Sequence, residues 1–160
     1  MTYIFKPMTI SHAESISTWK YEKPYNFYDF EKSKEIINEL TNGDYICVFN
    51  DEEIIIGFFC SGNSARVPGG YVAGIYEKED VLDIGLGLEP SMTGKGFGHI
   101  FVEEGINFFK QLSQEKFRMV VASFNQRAIT VYRRSGFVER NKFFSKVNGE
   151  DVEFICMTKE

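Results

Sequence analysis

The stretch Asp83-Ile84-Gly85-Leu86-Gly87-Leu88-Glu89-Pro90-Ser91-Met92-Thr93-Gly94-Lys95-Gly96-Phe97-Gly98-His99 decides how this chain folds. Val81 to Glu89 reads as a strand carrying two interior glycines, Gly85 and Gly87. Glycine inside a strand costs stability and marks a bulge or a close backbone approach. Pro90 ends the strand, and a helix is predicted from about Gly96 to Ser113. Phe97, Phe101, Phe108 and Leu112 form its expected apolar stripe, with Ile100 beside them. Between strand and helix, Gly94, Gly96 and Gly98 alternate with Lys95 and Phe97 after Thr93. Glycines there let backbone N–H groups turn toward one point, and with a helix N-terminus they make a site for a phosphate or pyrophosphate. One glycine would mean only a turn. Three in alternation ahead of an amphipathic helix favour phosphate binding.

Working outward, Phe117 to Phe124 is a continuous apolar run, expected as a central strand buried on both faces. Asn125 caps a short helix, Gln126 to Ser135, closed by Gly136. Phe137–Val147 and Glu150–Thr158 form a hairpin through Asn148-Gly149, the favoured two-residue turn. Upstream, Tyr3 to Met8 is a short strand, and Ser11-His12-Ala13-Glu14 is a capping box for a helix running to about Lys20. Asp29 is the expected cap of a second helix with Phe30, Ile36, Ile37 and Leu40 on one face, ended by Asn42-Gly43. Asp44–Asn50 and Glu53–Ser61 read as a hairpin, and Gly62 to Tyr71 as a mobile loop or ragged edge. The order is mixed: antiparallel hairpins plus one strand–helix–strand–helix stretch.

The chain has 160 residues, which predicts a single domain over 1–160, and its 43% hydrophobic content supplies a core. The net charge of −5 argues against a nucleic-acid backbone as partner and suits a cationic small molecule or peptide. Cys47, Cys60 and Cys156 are an odd number, far apart in apolar stretches, and read as buried reduced thiols of a cytoplasmic protein. The histidines are His12 and His99 alone, too few for a His-rich metal site, so no metal is expected. Residues 1–8 show no signal peptide, and the longest apolar run, Ile54 to Cys60, is too short for a bilayer, so no membrane partner is expected.

The nucleotide-binding alternatives fail on spacing. A P-loop needs Ser or Thr after the lysine, where Gly96 follows Lys95. The dinucleotide fingerprint needs glycine where His99 stands, or where Pro90 stands if started at Gly85. Thr93-x-x-Gly96-x-Gly98 resembles instead the acetyl-CoA signature of the GNAT acetyltransferases, Q/R-x-x-G-x-G/A, with Thr93 in place of Gln or Arg. A second block, Asn125-x-x-Ala128-Ile129-x-x-Tyr132-x-x-x-Gly136-Phe137, is similar to another family motif. The resemblance covers nearly the whole chain, and the run Asp83 to Pro90 looks like the branch acetylating ribosomal-protein N-termini and its bacterial antibiotic-modifying relatives.

The resemblance implies an α/β (α+β) GNAT fold: a mostly antiparallel twisted sheet of six to seven strands with a V-shaped splay, flanked by about four helices. It implies acetyl-CoA as co-substrate, with backbone contacts to the pantetheine arm from Leu86 and Leu88. The amides of Thr93, Gly94, Lys95, Gly96, Phe97, Gly98 and His99 would hold the pyrophosphate. Asn125 is either the helix cap, worth ~1 kcal/mol, or also a pantetheine contact. Tyr132 is either a packed ring or the acid that protonates the departing thiolate, a transfer uphill by only about 2 kcal/mol. An alkylamine acceptor must lose a proton, a deficit of ~4 kcal/mol at pH 7. Asp83, Glu89 or a water relay would take it. Trp19, Tyr21 and Tyr25, in Trp19-Lys20-Tyr21-Glu22-Lys23-Pro24-Tyr25, are expected to wall the acceptor pocket, with core packing the rival reading of Trp19. The expected activity is direct acetyl transfer to a primary amine by a monomer or homodimer. A non-enzymatic acyl-CoA-binding module on the same fold is the alternative.

Overall fold

The computed structural model describes residues 2–160. The chain forms two compact units, Met1–Cys60 with Leu86–Gly96, and Ser61–Gly85 with Phe97–Glu160. The first holds β1 (Ile4–Pro7), α1 (Ile10–Ser17), α2 (Lys34–Leu40), β2 (Tyr45–Phe49) and β3 (Ile55–Ser61). The second holds α3 (Pro68–Val72), α4 (Gly98–Gln111), β5 (Phe117–Ala122), α5 (Gln126–Arg134), β6 (Val138–Val147) and β7 (Glu150–Lys159). Strand β4 (Leu82–Leu88) is divided between the units after Gly85. The strand order is β1-β2-β3-β4-β5-β7-β6.

In the first unit β1 and β2 pair antiparallel from Ile4↔Phe49 to Pro7↔Ile46, and β2 pairs β3 from Tyr45↔Cys60. Their inward side chains Cys47, Phe49 and Phe58 meet Ala13 and Ile16 of α1 and Leu40 of α2 in one core. In the second unit β5 lies antiparallel to β7, Phe117↔Lys159 to Ala122↔Phe154, and β7 pairs β6 through the predicted turn. Asn148 (φ 52°) and Gly149 (φ 82°) are both left-handed there, as a type I′ turn requires. Pairing of β4 with β5, Leu82↔Phe117 and Asp83↔Arg118, is parallel. All three cysteines are free thiols and buried.

Several boundaries depart from the sequence reading, each for a physical reason. The cap of α1 is Thr9, whose side chain accepts the His12 N–H at 3.2 Å, so the helix starts ahead of Ser11. The cap of α2 is Ser33, which accepts the Ile36 N–H at 3.2 Å. Asp29 is spent elsewhere, accepting the Tyr21 N–H at 2.9 Å. On α4 the buried row is Phe101, Val102, Gly105, Ile106 and Phe109, while Ile100 and Leu112 are exposed. The expected helix is present with its apolar face rotated, because spacing and not ring size selects the buried side.

The segment expected as a loop is a short 3-10 turn, Gly62–Ala65, followed by helix α3. Pro68 opens that helix at a position where a missing N–H costs nothing. Gly69 lets α3 lie directly on β6: its N–H donates to Ser145 Oγ at 2.8 Å, and a Cβ there would sit 2.1 Å from the Phe144 carbonyl oxygen. The glycine that suggested looseness is a point of close contact. Gly69→Ala should therefore lower stability by about 1–3 kcal/mol through overpacking, read as a fall in the urea midpoint with an unchanged slope.

Candidate active site

In the first unit, the Glu89 N–H donates to the Ile56 carbonyl of β3 at 2.8 Å. Backbone groups alternate in direction along a strand, so those of Leu86 and Leu88 face away from β3. The Leu88 carbonyl accepts the Tyr21 hydroxyl at 2.7 Å. Burial first, then Asp29 and Glu89, hold the Tyr21 phenol well above its ordinary value, so it remains a donor. Tyr21 thus ties the Lys20–Tyr28 loop to the end of β4. Tyr25 is half-buried and opens a 3-10 turn, Tyr25–Tyr28, with its N–H on the Glu22 carbonyl at 2.7 Å. Trp19 stacks on Phe58, 6.3 Å between ring centres, against the core of this unit. That contact supports the core-packing reading of Trp19. Gly87 also faces Phe58, at 2.3 Å from where its Cβ would be, which explains a glycine inside this strand.

The loop after β4 has the features of an anion cradle. Gly94 and Gly96 have φ of 69° and 83°, which strain any side-chain-bearing residue. The space a Cβ of Gly96 would fill is open to 4 Å. Gly94, Lys95 and Gly96 are exposed, and among the described residues the N–H groups of 94–97 donate to no carbonyl. The Thr93 hydroxyl and backbone N–H both donate to the Pro90 carbonyl, at 2.7 and 3.2 Å, so this motif position braces the turn and its amide, expected on the pyrophosphate, is already taken. Glu89 is half-buried and caps the same turn, accepting the N–H of Ser91 at 3.0 Å and its hydroxyl.

In the second unit, α4 begins at Gly98, where a Cβ would meet Val131 of α5 at 3.3 Å. His99 Nδ1 lies 3.2 Å from Ser135 Oγ, which fastens α4 to the end of α5. Asn125 caps α5, its Oδ1 accepting the Ala128 N–H at 3.1 Å. Tyr132, on the buried face of α5 with Ile129, is 8% exposed and tilts against Phe137.

Asp83 departs most from the sequence reading. Expected as a candidate proton acceptor, it is 3% exposed and held by two guanidiniums. Arg118 Nε donates to Oδ1 at 2.5 Å and Arg118 Nη2 to Oδ2 at 2.8 Å, while Arg66 Nε donates to Oδ2 at 2.8 Å. Both carboxylate oxygens are thus taken up by charged donors. Arg118 Nη1 further donates to the Ile75 carbonyl at 2.6 Å. The Tyr76 ring lies 4.7 Å from the Arg66 and 5.0 Å from the Arg118 guanidinium carbon. Sequence reasoning missed Arg66, Tyr76 and Arg118. The available signal was a charge inside the apolar strand Phe117-Arg118-Met119-Val120-Val121, which must find a buried partner.

The profile of the acetyltransferase (GNAT) family matches residues 10–137. The chain belongs to the GNAT acetyltransferase family. No curated protein matches it in sequence. Solved structures similar to this GNAT chain include an acetyltransferase of the same family from Bacillus anthracis, 12% identical over 98% of this chain and 93% of that one, TM-score 0.72. Another is a spermidine N-acetyltransferase from Vibrio cholerae in complex with CoA and spermine, 17% identical over 98% and 94% of the two chains, TM-score 0.70. A third is a candidate phosphinothricin N-acetyltransferase, 11% identical over 99% and 98%, TM-score 0.71. These likenesses show the mixed, mostly antiparallel seven-stranded fold expected from sequence, here with five helices. Among the described residues no group of His, Cys, Asp and Glu is placed to hold a metal, and no helix is long and apolar enough to cross a membrane.

The Tyr76 hydroxyl accepts the Val67 N–H at 3.0 Å, and its pKa is pushed up to about 12, chiefly by burial. The folded value exceeds the unfolded one near 10, so the stability this group adds is complete below pH ~10 and disappears as pH rises toward the folded value. The Tyr76→Phe protein should lose less stability than wild type between pH 10 and 12, measured as the pH dependence of the urea midpoint.

Proposed function

We propose that the chain transfers the acetyl group of acetyl-CoA directly to a primary amine. The observation that carries this reading is the Gly94–Gly96 cradle: left-handed backbone, outward amides and open space where a side chain would stand, in a chain of the GNAT family. The amides of 94–99 would bind the pyrophosphate, with the positive end of α4 adding attraction. Leu86 and Leu88 would pair with the pantetheine arm through backbone groups turned from β3. Lys95 would contribute through its amide, and Asn125 through its side-chain amide in addition to its cap.

Acetyl-CoA supplies an activated thioester and leaves as a thiolate. Tyr132 would give its hydroxyl proton to the departing sulfur as the new C–N bond forms and the C–S bond breaks. The amine proton would leave through water, with Glu89, whose Oε2 caps the Ser91 turn, the carboxylate at β4's end; Asp83 is set aside because Arg66 and Arg118 occupy it. Tyr21, holding Leu88, and Tyr25 would border the acceptor. A protonated amine would be drawn by Glu22, Asp29 and Glu89. Residues 1–160 would act as one acetyltransferase domain, and free buried thiols suit a reducing, cytoplasmic setting.

Thiol release from acetyl-CoA across a panel of amines tests the activity. Binding of acetyl-CoA with no turnover on any amine would favour the non-enzymatic module. Gly96→Val should weaken acetyl-CoA binding by calorimetry at least ~10-fold, because a branched side chain at positive φ deforms the cradle; equal affinity would remove this loop from the site. Tyr132→Phe should leave acetyl-CoA affinity within a few fold and lower kcat by ~10²–10⁴, the range for one general acid. Unchanged kcat would exclude Tyr132 as the acid.

A further inference from the structure

The surface between α3 and the β6–β7 hairpin lies wholly within the second unit and is predominantly apolar. A hollow of about 520 Å³ opens there, lined by Pro68 and Val72 of α3 and by Phe143, Phe144, Lys146 and Asp151 of the hairpin. Val72 is 93% exposed and Phe144 62% exposed. Helix α3 cannot draw closer to cover them, because Gly69 already fixes it on β6: its N–H is on Ser145 Oγ and no room remains for a Cβ. Large apolar side chains held out beside an apolar hollow make a knob and a hole on one face. Strand β6 ends the sheet, yet backbone pairing along its outer edge is opposed by a bulge between Glu139 and Lys142 and by the charges of Lys142 and Lys146. Contact at this face is therefore a matter of side chains.

We propose that this face binds a second copy of the chain about a two-fold axis, with Val72 of each copy seated in the hollow of the other. The charges select that occupant. A two-fold contact sets a patch against itself, so the charges of the patch must compensate one another. Lys146 Nζ and Asp151 Oδ1 lie 3.0 Å apart at the rim with both side chains exposed, and a two-fold axis beside the pair lets each lysine reach the aspartate of the other copy. The second unit holds twelve basic and twelve acidic residues, while the net charge of −5 belongs entirely to the first. An anionic membrane or a strongly charged protein finds no opposite charge here to draw it, and a second copy needs none. An isologous contact closes at two subunits. It is built from one five-residue helix and one hairpin, so the dimer is reversible and not obligate.

Sedimentation equilibrium of the full chain across the micromolar range should show monomer and dimer in exchange, with no larger species. Val72→Asp, at a side chain the monomer leaves in water, should weaken the dimer about tenfold or more, because a carboxylate would enter each apolar hollow. Phe144→Ala should weaken it in the same direction, and melting curves check that both variants fold. Lys146→Glu leaves two acidic groups at the rim and Asp151→Lys leaves two basic ones. Each of these proteins alone should dimerise more weakly than wild type. An equal mixture of the two should regain wild-type association, since only unlike copies then set opposite charges against each other. The reading is of mass and stands apart from acetyl transfer. A wild type that stays monomeric throughout, an assembly that grows past two, a dimer indifferent to Val72→Asp, or a mixture no stronger than its parts would each overturn the proposal.

Discussion

The ion pair between Asp83 and Arg118 joins direct neighbours on the parallel strands β4 and β5, and the second unit is organised around it. Burying a carboxylate and a guanidinium costs several kcal/mol per ion unless geometry and further hydrogen bonds compensate. Here both oxygens of Asp83 are engaged, and Arg118 also reaches the Ile75 and Lys78 carbonyls. One residue pair therefore links β4, β5 and the segment ahead of β4. A slip of one residue would set Asp83 beside Met119 and bury two unpaired charges. A one-residue slip would already turn every side chain of Phe117–Ala122 to the opposite face, and the buried charge pair adds an electrostatic penalty to the same slip.

Strand β4 works by its backbone more than by its side chains. Glu89 gives its N–H to β3, and Leu88 turns its carbonyl the other way to receive Tyr21. Gly87 yields its side-chain space to Phe58. A strand with this much backbone committed on alternate sides has little freedom to bend, and it delivers the next residues, Pro90 to Gly96, in a defined direction. The turn that follows is braced from within by Glu89 on Ser91 and by Thr93 on Pro90. With the side chains turned into the brace, what remains outward is a row of amides.

What the sequence disclosed and what it concealed follow the range of each interaction. Asn125 capping α5, the Asn148-Gly149 turn and the alternating glycines before α4 were legible because each is settled within a few residues. The caps of α1 and α2 were misplaced because Ser11 and Asp29 carry the right chemistry locally. Ser33 caps α2 while Asp29 is engaged by the Tyr21 backbone, and Thr9 caps α1 by accepting the His12 N–H. The buried face of α4 follows spacing and not the placement of its phenylalanines. Trp19, read for its chemistry, is decided by its contact with Phe58, which is 39 positions away in the chain.

The same difference in range separates the two halves of the proposed reaction. A pyrophosphate is recognised by backbone amides, and backbone geometry needs only glycine at the right spacing; that is why the donor motif reads from one short stretch. An acceptor would be selected by side chains, and side chains from distant positions meet only in the fold, as Arg66, Asp83 and Arg118 do across up to 52 positions once β4 meets β5. No spacing rule connects them. A carboxylate taken from sequence as a proton acceptor becomes, once two guanidiniums reach it, the anchor that directs a cation. Asp83 keeps its place on β4, and its two oxygens hold the guanidiniums of Arg66 and Arg118.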